Sequence, residues 1–169
     1  MSATRTMGIS VTDVATSSDG AALPLGFEYT EPASATDGYG EKTWVYVLAD
    51  EVLAIGDVVE VNGDFAAPFH AIQGNEDTPQ KRLLGVAGHA IASGSFGFVQ
   101  KSGRAPYIKG DGLIAAGDAL VAHTLGTADT LATDQGDMVF GYALAADAAD
   151  SSATGHSVPV FAGMIKCGV

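Results

Sequence analysis

The chain has 169 residues, enough for one domain with a real core, and its 47% hydrophobic and 17% charged residues exclude bulk disorder. Its net charge of −12 opposes binding to nucleic acid and to anionic membrane surfaces. The single cysteine, Cys167, excludes an intrachain disulfide and a thiolate metal site. No apolar run approaches the roughly 20 residues of a membrane span, and the absence of a secretory h-region predicts synthesis in a cytoplasm.

Residues 1–42 are predicted to form an extended N-terminal arm. The segment is rich in Ser, Thr, Ala, Gly and Asp, with only scattered apolar residues, so it buries little by itself. It is therefore either mobile or ordered by a neighbouring subunit. Because aromatic side chains supply large contact areas at low entropic cost, the candidates for an interface that anchors the arm are Phe27, Tyr29, Tyr39 and Trp44. Packing of these side chains on their own domain is the alternative.

Residues 43–169 are predicted to form one β-rich domain. Runs of β-branched, aromatic and small apolar residues, bounded by Gly, Asp, Ser or Pro, predict strands at 43–48, 57–61, 83–87, 96–100, 105–109, 119–122, 138–144 and 158–165. In the second run, Val59 and Val61 fall on the face opposite to Val58. The alanine-rich stretch 143–153 is interrupted by Asp and Ser and is predicted to be a loop. We expect an all-β fold: a compact β-barrel, or a β-clip-like or sandwich-like domain.

One short element recurs three times, at 53–59, 91–97 and 114–120. It consists of an aliphatic residue, Ala, a variable residue, Gly, and Asp or Ser, followed by an apolar strand. The aliphatic residue fills the core, the Gly accepts a positive φ, and the Asp or Ser side chain can bond nearby backbone N–H groups. The irregular spacing excludes a solenoid, so we predict recurring corners of one compact domain.

These corners carry a family resemblance. The progression from 85–87 through 91–100 and 114–121 to 141–144 resembles the capsid decoration, cement and head-stabilising proteins of tailed bacteriophages, in which such short glycine-containing elements are common. The resemblance covers about residues 43–165 and leaves the arm uncovered. It implies a β-barrel or β-clip-like fold, self-association, often as a homotrimer, and attachment to the major capsid protein on the outside of the virion.

Motifs that would carry chemistry are weak. The histidines have no familiar metal-ligand spacing; they are His70, His89, His123 and His156. The segment 110–112 mimics the start of a dinucleotide fingerprint, but Gly117 and Asp118 interrupt the helix that it would need. An acidic loop at 129–137 lacks the alternating carboxylates of a calcium loop, so a solvated loop is the preferred interpretation. We predict no catalytic residues, no cofactor and no metal.

The sequence therefore predicts a non-enzymatic virion structural protein, made in the host cytoplasm, that decorates and stabilises the outer surface of a phage capsid. Its expected partners are the major capsid protein and copies of itself. Phe161 is a further candidate interface residue, because both alternating sets of the final strand are largely apolar. The alternative is a receptor- or glycan-binding head-fibre or adhesin module that would use an exposed aromatic residue such as Trp44 or Tyr107. An enzyme on a β-clip scaffold has no converging residue set to support it.

Overall fold

Short strands joined by turns make up nearly all the regular structure. A computed structural model describes residues 10–33, 40–62, 67–74, 83–111, 113–131, 139–144, 146 and 157–162, of which 106–107 and 157–162 are described by their backbone alone. The strands are β1 (Glu28–Glu31), β2 (Lys42–Ala49), β3 (Val58–Val61), β4 (His70–Gln73), β5 (Leu83–Val86), β6 (Phe96–Lys109), β7 (Ala119–Ala122), β8 (Ala128–Thr130), β9 (Gly141–Ala143) and β10 (Ser157–Ala162). A 3-10 turn spans Thr124–Gly126. Within these ranges, no helix is long and apolar enough to cross a membrane.

Five strands close into a barrel in the order β2-β4-β3-β5-β6, and β6 pairs back onto β2. The closing pair is antiparallel and runs from Thr43 opposite Ser102 to Leu48 opposite Phe96. Only the β2–β4 pair in this barrel is parallel. Closure leaves the barrel strands without a free edge over their paired residues. The all-β prediction is confirmed, and the barrel is the architecture that the chain adopts.

Strand β2 is buried on both faces because alternate residues enter different cores. Val45, Val47 and Ala49 belong to the cluster inside the barrel. Trp44 and Tyr46 point outward, into a second cluster that is covered by the N-terminal segment. A strand with a period of two normally leaves one face for solvent, so the run of four buried residues in β2 requires a cover.

Strand β6 belongs to two sheets. Its first half closes the barrel, and its second half pairs with β10, from which the second sheet continues through β9 and β7 to β8. Gly103, at the junction, has a φ of 95°, and a Cβ there would overlap the carbonyl oxygen of Glu41. Glycine therefore permits the close approach of β6 to the start of β2.

A third core lies between the second sheet and the outer side of β3 and β5. It contains Val58, Leu83 and Val86 from the barrel and Leu120 and Phe140 from the other side. Val59 and Val61 of β3 enter the barrel interior instead. The prediction that Val58 lies on the face of β3 opposite to Val59 and Val61 is therefore confirmed.

The three repeated corners form the same turn. In each, the backbone N–H of the Asp or Ser donates to the carbonyl of the Ala three residues earlier, at 3.0–3.1 Å, and the glycine has a φ between 75° and 93°. The carboxylates of Asp57 and Asp118 also accept the N–H of that Ala, at 2.6 and 2.7 Å. Leu53, Ile91 and Ile114, which begin the corners, are almost fully buried. The turn chemistry predicted from the sequence is confirmed.

Candidate interface surfaces

Three of the four aromatic residues proposed to anchor the arm, Phe27, Tyr29 and Trp44, meet in one cluster on the outside of the barrel. Phe27 and Tyr29 are partly buried and pack against a group that contains Trp44, Tyr46 and Phe98. The rings of Tyr46 and Phe98 are tilted at 58° with centroids 5.0 Å apart. Such tilted contacts add about 0.5–1.5 kcal/mol to the burial of apolar area. This aromatic cluster fixes the described part of the arm to β2 and β6.

Backbone hydrogen bonds hold the arm in the same place. Gly26 donates to the carbonyl of Tyr46 at 2.8 Å, and the N–H of Tyr46 donates to the carbonyl of Phe27 at 2.9 Å. Strand β1 then pairs with β2, with Tyr29 opposite Trp44. The Nε1–H of Trp44 donates to a carboxylate oxygen of Glu31 at 3.1 Å. The described part of the arm thus adds one strand, β1, to the outside of the barrel of its own chain.

The packing of the arm determines how much of each predicted interface residue is left exposed. Trp44 is only 7% exposed, which leaves little of its indole for a partner or a sugar. Phe27 and Tyr29 retain some exposed surface, so an additional role toward a neighbour stays a prediction. Tyr39 lies outside the described residues, and the side chain of Tyr107 lies outside the description as well.

A different set of apolar residues is exposed on the second sheet. The N–H of Leu131, just after β8, donates to the carbonyl of Ala119 at 2.9 Å, and Ala119 is paired with Tyr142 of β9. Directly paired residues of adjacent strands project to the same face, so these three form one row. Leu131 is 37% exposed and Tyr142 is 38% exposed. We call Leu131, Ala119 and Tyr142 the apolar row.

In the backbone register, Phe161 of β10 lies beside the apolar row. It is paired with Tyr142 on one side and with Arg104 of β6 on the other. Its side chain lies outside the description, so its role at an interface stays a prediction. Leu144, two residues after Tyr142, is also exposed.

A buried ion pair lies where the first corner meets β6. Asp57 has no exposed side-chain surface, and it accepts bonds from Lys109, from the Nε2 of Gln73 at 2.8 Å and from the N–H of Ala54 at 2.6 Å. The backbone N–H of Lys109 donates to the carbonyl of Gly56 at 2.9 Å. These contacts satisfy a carboxylate that would otherwise be costly to bury, so the group is structural.

Two histidines are paired with carboxylates. The Nδ1 of His70 lies 3.1 Å from both carboxylate oxygens of Asp50, and the Nδ2 of Asn62 donates to Oδ2 of the same carboxylate at 2.6 Å. The Nδ1 of His123 lies 2.9 Å from Asp111. In the part of the chain that the structure describes, no three His, Cys, Asp or Glu side chains are grouped so that they could hold a metal ion.

His89 differs from these histidines because both its ring nitrogens are hidden from solvent and have no hydrogen-bond partner among the residues that the structure describes. Burial lowers the pKa of the imidazole below its ordinary value, and the negative charge of Asp13 partly offsets this effect. His156 lies outside the described residues, as do Asp134 and Asp137 of the acidic loop.

Comparison with known proteins gives little further guidance. No protein-family model matches the chain, and no curated protein matches it. Among solved structures, the fold is similar to the head fibre gp8.5 N base in bacteriophage phi29, with a TM-score of 0.48 and 19% sequence identity over 72% of this chain and 94% of that one. A likeness this distant assigns no function to the chain.

Proposed function

We propose that this chain is a structural protein of a bacteriophage head that binds the outer surface of the capsid and stabilises it without catalysis. The observation that carries the proposal is the apolar row, in which the exposed side chains of Leu131 and Tyr142 flank the half-buried Ala119 on an otherwise acidic protein. The role is adhesive, so it needs a surface of this kind and no reactive group.

The choice of partner is supported by the ordered series of glycine corners. Their sequence progression resembles that of capsid decoration and head-stabilising proteins, and the structure builds all three corners with one turn geometry. A net charge of −12 favours a position on the outside of a shell, away from packaged DNA. Self-association, as a homotrimer, belongs to the same proposal, because many weak contacts on a lattice add up through effective concentration.

Binding to shells that lack the protein tests this proposal. We expect the purified chain to self-associate by light scattering and to co-sediment with bare shells. Tyr142→Asp should weaken shell binding by about tenfold or more, since an aromatic residue at the centre of an interface contributes about 1.4 kcal/mol or more.

Val52→Asp is the matched control, because Val52, just before the first corner, is 62% exposed and lies outside the apolar row. It should bind shells as the unchanged protein does. A monomer that ignores shells, or equal losses for both variants, would refute the proposal.

The second candidate is a receptor- or glycan-binding head-fibre module. The exposure of Tyr142 favours it, since an accessible aromatic ring can stack on a sugar. A glycan array distinguishes the two functions: saturable sugar binding that Tyr142→Asp abolishes, together with no binding to shells, would favour the adhesin.

A further inference from the structure

The second sheet repeats the strand pairings of the barrel. In the barrel, β3 pairs antiparallel with β4 and with β5, and β2 pairs antiparallel with β6. In the second sheet, β7 pairs antiparallel with β8 and with β9, and the second half of β6 pairs antiparallel with β10. The parallel β2–β4 pair also has a counterpart, a parallel bridge between Gly110, just after β6, and Ala128 of β8. Positions in the two sheets can therefore be matched.

The corners fix this match residue by residue. The first corner bonds the N–H and the carbonyl of Ala87, each at 2.8 Å, and the third corner bonds those of Ala143 in the same way, at 2.8 and 2.9 Å. Ala87 and Ala143 are therefore equivalent, and so are Val86 and Tyr142, which directly precede them.

The apolar row has an equivalent in the barrel. The N–H of Gly74 donates to the carbonyl of Val58 at 2.8 Å, and Val58 is paired with Val86, which are the same contacts that join the three members of the apolar row. The exposure of the two rows differs, because Val58 and Val86 are at most 1% exposed whereas Tyr142 is 38% exposed. The same row is covered in the barrel and open in the second sheet.

One end of the second sheet covers the row of the barrel. This row shares a core with Ala122 and Phe140, which lie at the end where β7 turns toward β8. A Cβ on Gly74 would lie 3.0 Å from the Cβ of Ala122, and the N–H of Gly126 donates to the carbonyl of Gly74 at 3.0 Å. The chain therefore already contains one contact between a row of this kind and the β7–β8 end of a neighbouring sheet.

The barrel has an equivalent end, where β3 turns toward β4. Val61 is the equivalent of Ala122, since each closes its strand opposite an alanine of the next strand. The residues just before β4 are apolar and half-buried; they are Ala67, Pro68 and Phe69. The β7–β8 end of each copy is occupied by its own barrel, so the β3–β4 end is the equivalent surface that remains for a neighbour.

We propose that the apolar row is one side of a subunit contact, and that a second copy of this chain covers it with the β3–β4 end of its barrel. The inference rests on the proposed adhesive role of the row and names the partner of that row. Ala119 is half-buried between two larger side chains, which leaves a recess, and Phe69 supplies an aromatic ring at the opposing end.

The charges and the symmetry of this contact follow from its two sides. Neither the apolar row nor residues 67–69 contain a charged side chain, so the contact places no like charges together in copies that each carry a net charge of −12. The two surfaces differ, so the contact is heterologous: copies add head to tail and either close into a ring or extend into a filament.

Two full-length variants test the two sides separately by sedimentation velocity and native mass spectrometry. Tyr142→Asp disables the row and Ala67→Asp disables the β3–β4 end, and each should weaken self-association by about tenfold or more, because a carboxylate enters an apolar contact. Val52→Asp, which lies on neither surface, should associate as the unchanged protein does.

A mixture of the two defective variants tests the head-to-tail arrangement. Equal amounts of Tyr142→Asp and Ala67→Asp should form heterodimers with one copy of each, because the intact end of the first meets the intact row of the second. Failure to form them would overturn the proposal. Normal association of Ala67→Asp alone would also overturn it, since a contact between two rows does not involve residue 67.

Thermal unfolding verifies that each variant is folded. If Ala67→Asp does not fold, hydrogen exchange of the unchanged protein at high and low concentration replaces it. Both β9 and residues 67–70 should lose protection on dilution, and protection of 67–70 that is independent of concentration would overturn the proposal.

Binding to bare shells separates this inference from the proposed function. An unchanged protein that is monomeric in solution, yet binds shells through Tyr142, would overturn the subunit contact and leave the capsid-binding role intact. If Tyr142→Asp loses self-association but binds shells normally, the subunit contact is supported and the proposed role of the row at the capsid is wrong.

Discussion

Asp57 and Lys109 form an ion pair in which the carboxylate has no exposed surface and the lysine side chain is 28% exposed. The pair joins the first corner to the end of β6, at the point where the barrel meets the second sheet. Lys109→Met should destabilise the protein by about 3–5 kcal/mol, because it leaves a buried carboxylate without its cation. The free energy of unfolding in urea measures this.

The third corner supplies the control for this ion pair. Asp118 accepts the equivalent backbone bond, from Ala115 at 2.7 Å, in an exposed position. Asp118→Asn should therefore cost about 1 kcal/mol or less. The double variant Asp57→Asn with Lys109→Met should be more stable than Lys109→Met alone, and a double variant that is less stable would contradict the assigned role of the pair.

Gly85 and Gly94 test two different uses of glycine. A Cβ at Gly85 would overlap the carbonyl oxygen of Gln100, whereas one at Gly94 would meet no atom within 4 Å. Gly94→Ala should cost about 1 kcal/mol, from its φ of 75° alone. Gly85→Ala should cost about 3 kcal/mol or more, because β5 must move away from β6. Thermal unfolding of both variants checks the order, and equal losses would show that the overlap is relieved cheaply.

Leu125 is expected to destabilise the hairpin between β7 and β8. It has a left-handed conformation, with φ 57° and ψ 35°, and its side chain is 73% exposed. Asn adopts this conformation more readily, so Leu125→Asn should stabilise the protein by about 1 kcal/mol. Leu113→Asn is the control: Leu113 is 69% exposed but has no positive φ, and its change should be close to neutral. Chemical denaturation of the two variants would detect the difference.

Tyr46 should make the protein sensitive to alkali. Burial raises the pKa of its phenol, while a bond from the N–H of Ala22 to the hydroxyl oxygen opposes this effect. The unfolded chain loses this proton near pH 10, so stability is lost as the pH rises above about 10 toward the higher folded pKa. Tyr46→Phe should reduce this loss. Its measurement is the free energy of unfolding at about pH 9 and 11, and an unchanged alkaline slope would contradict the assignment.

The sequence predicted most of the barrel but missed three strands. Apolar runs identified β2, β3, β5, β6 and β7 because their side chains are buried on at least one face. Strands β1, β4 and β8 are three or four residues long, contain Glu, Thr, His, Gln and Asp, and have no run of more than two apolar residues. They form because partner strands present unpaired backbone groups, which is a tertiary effect that local sequence does not record.

The apolar row was harder to predict from the sequence than the three corners. A corner is local, since four or five residues define its glycine, carboxylate and backbone bonds. The apolar row depends instead on the register that brings Leu131, Ala119 and Tyr142 side by side from three strands. The sequence also marked Trp44 as an aromatic candidate for an interface. It did not show that Tyr29 and Glu31 would pack against this side chain, because that contact depends on the pairing of β1 with β2.

The continuity of β6 has a mechanical consequence. One strand of 14 residues pairs through its first half with β2 and through its second half with β10. The second sheet and the barrel are therefore joined by the backbone of a single strand and not by a separate linker. A pull on the face that contains the apolar row reaches the closed barrel along this backbone.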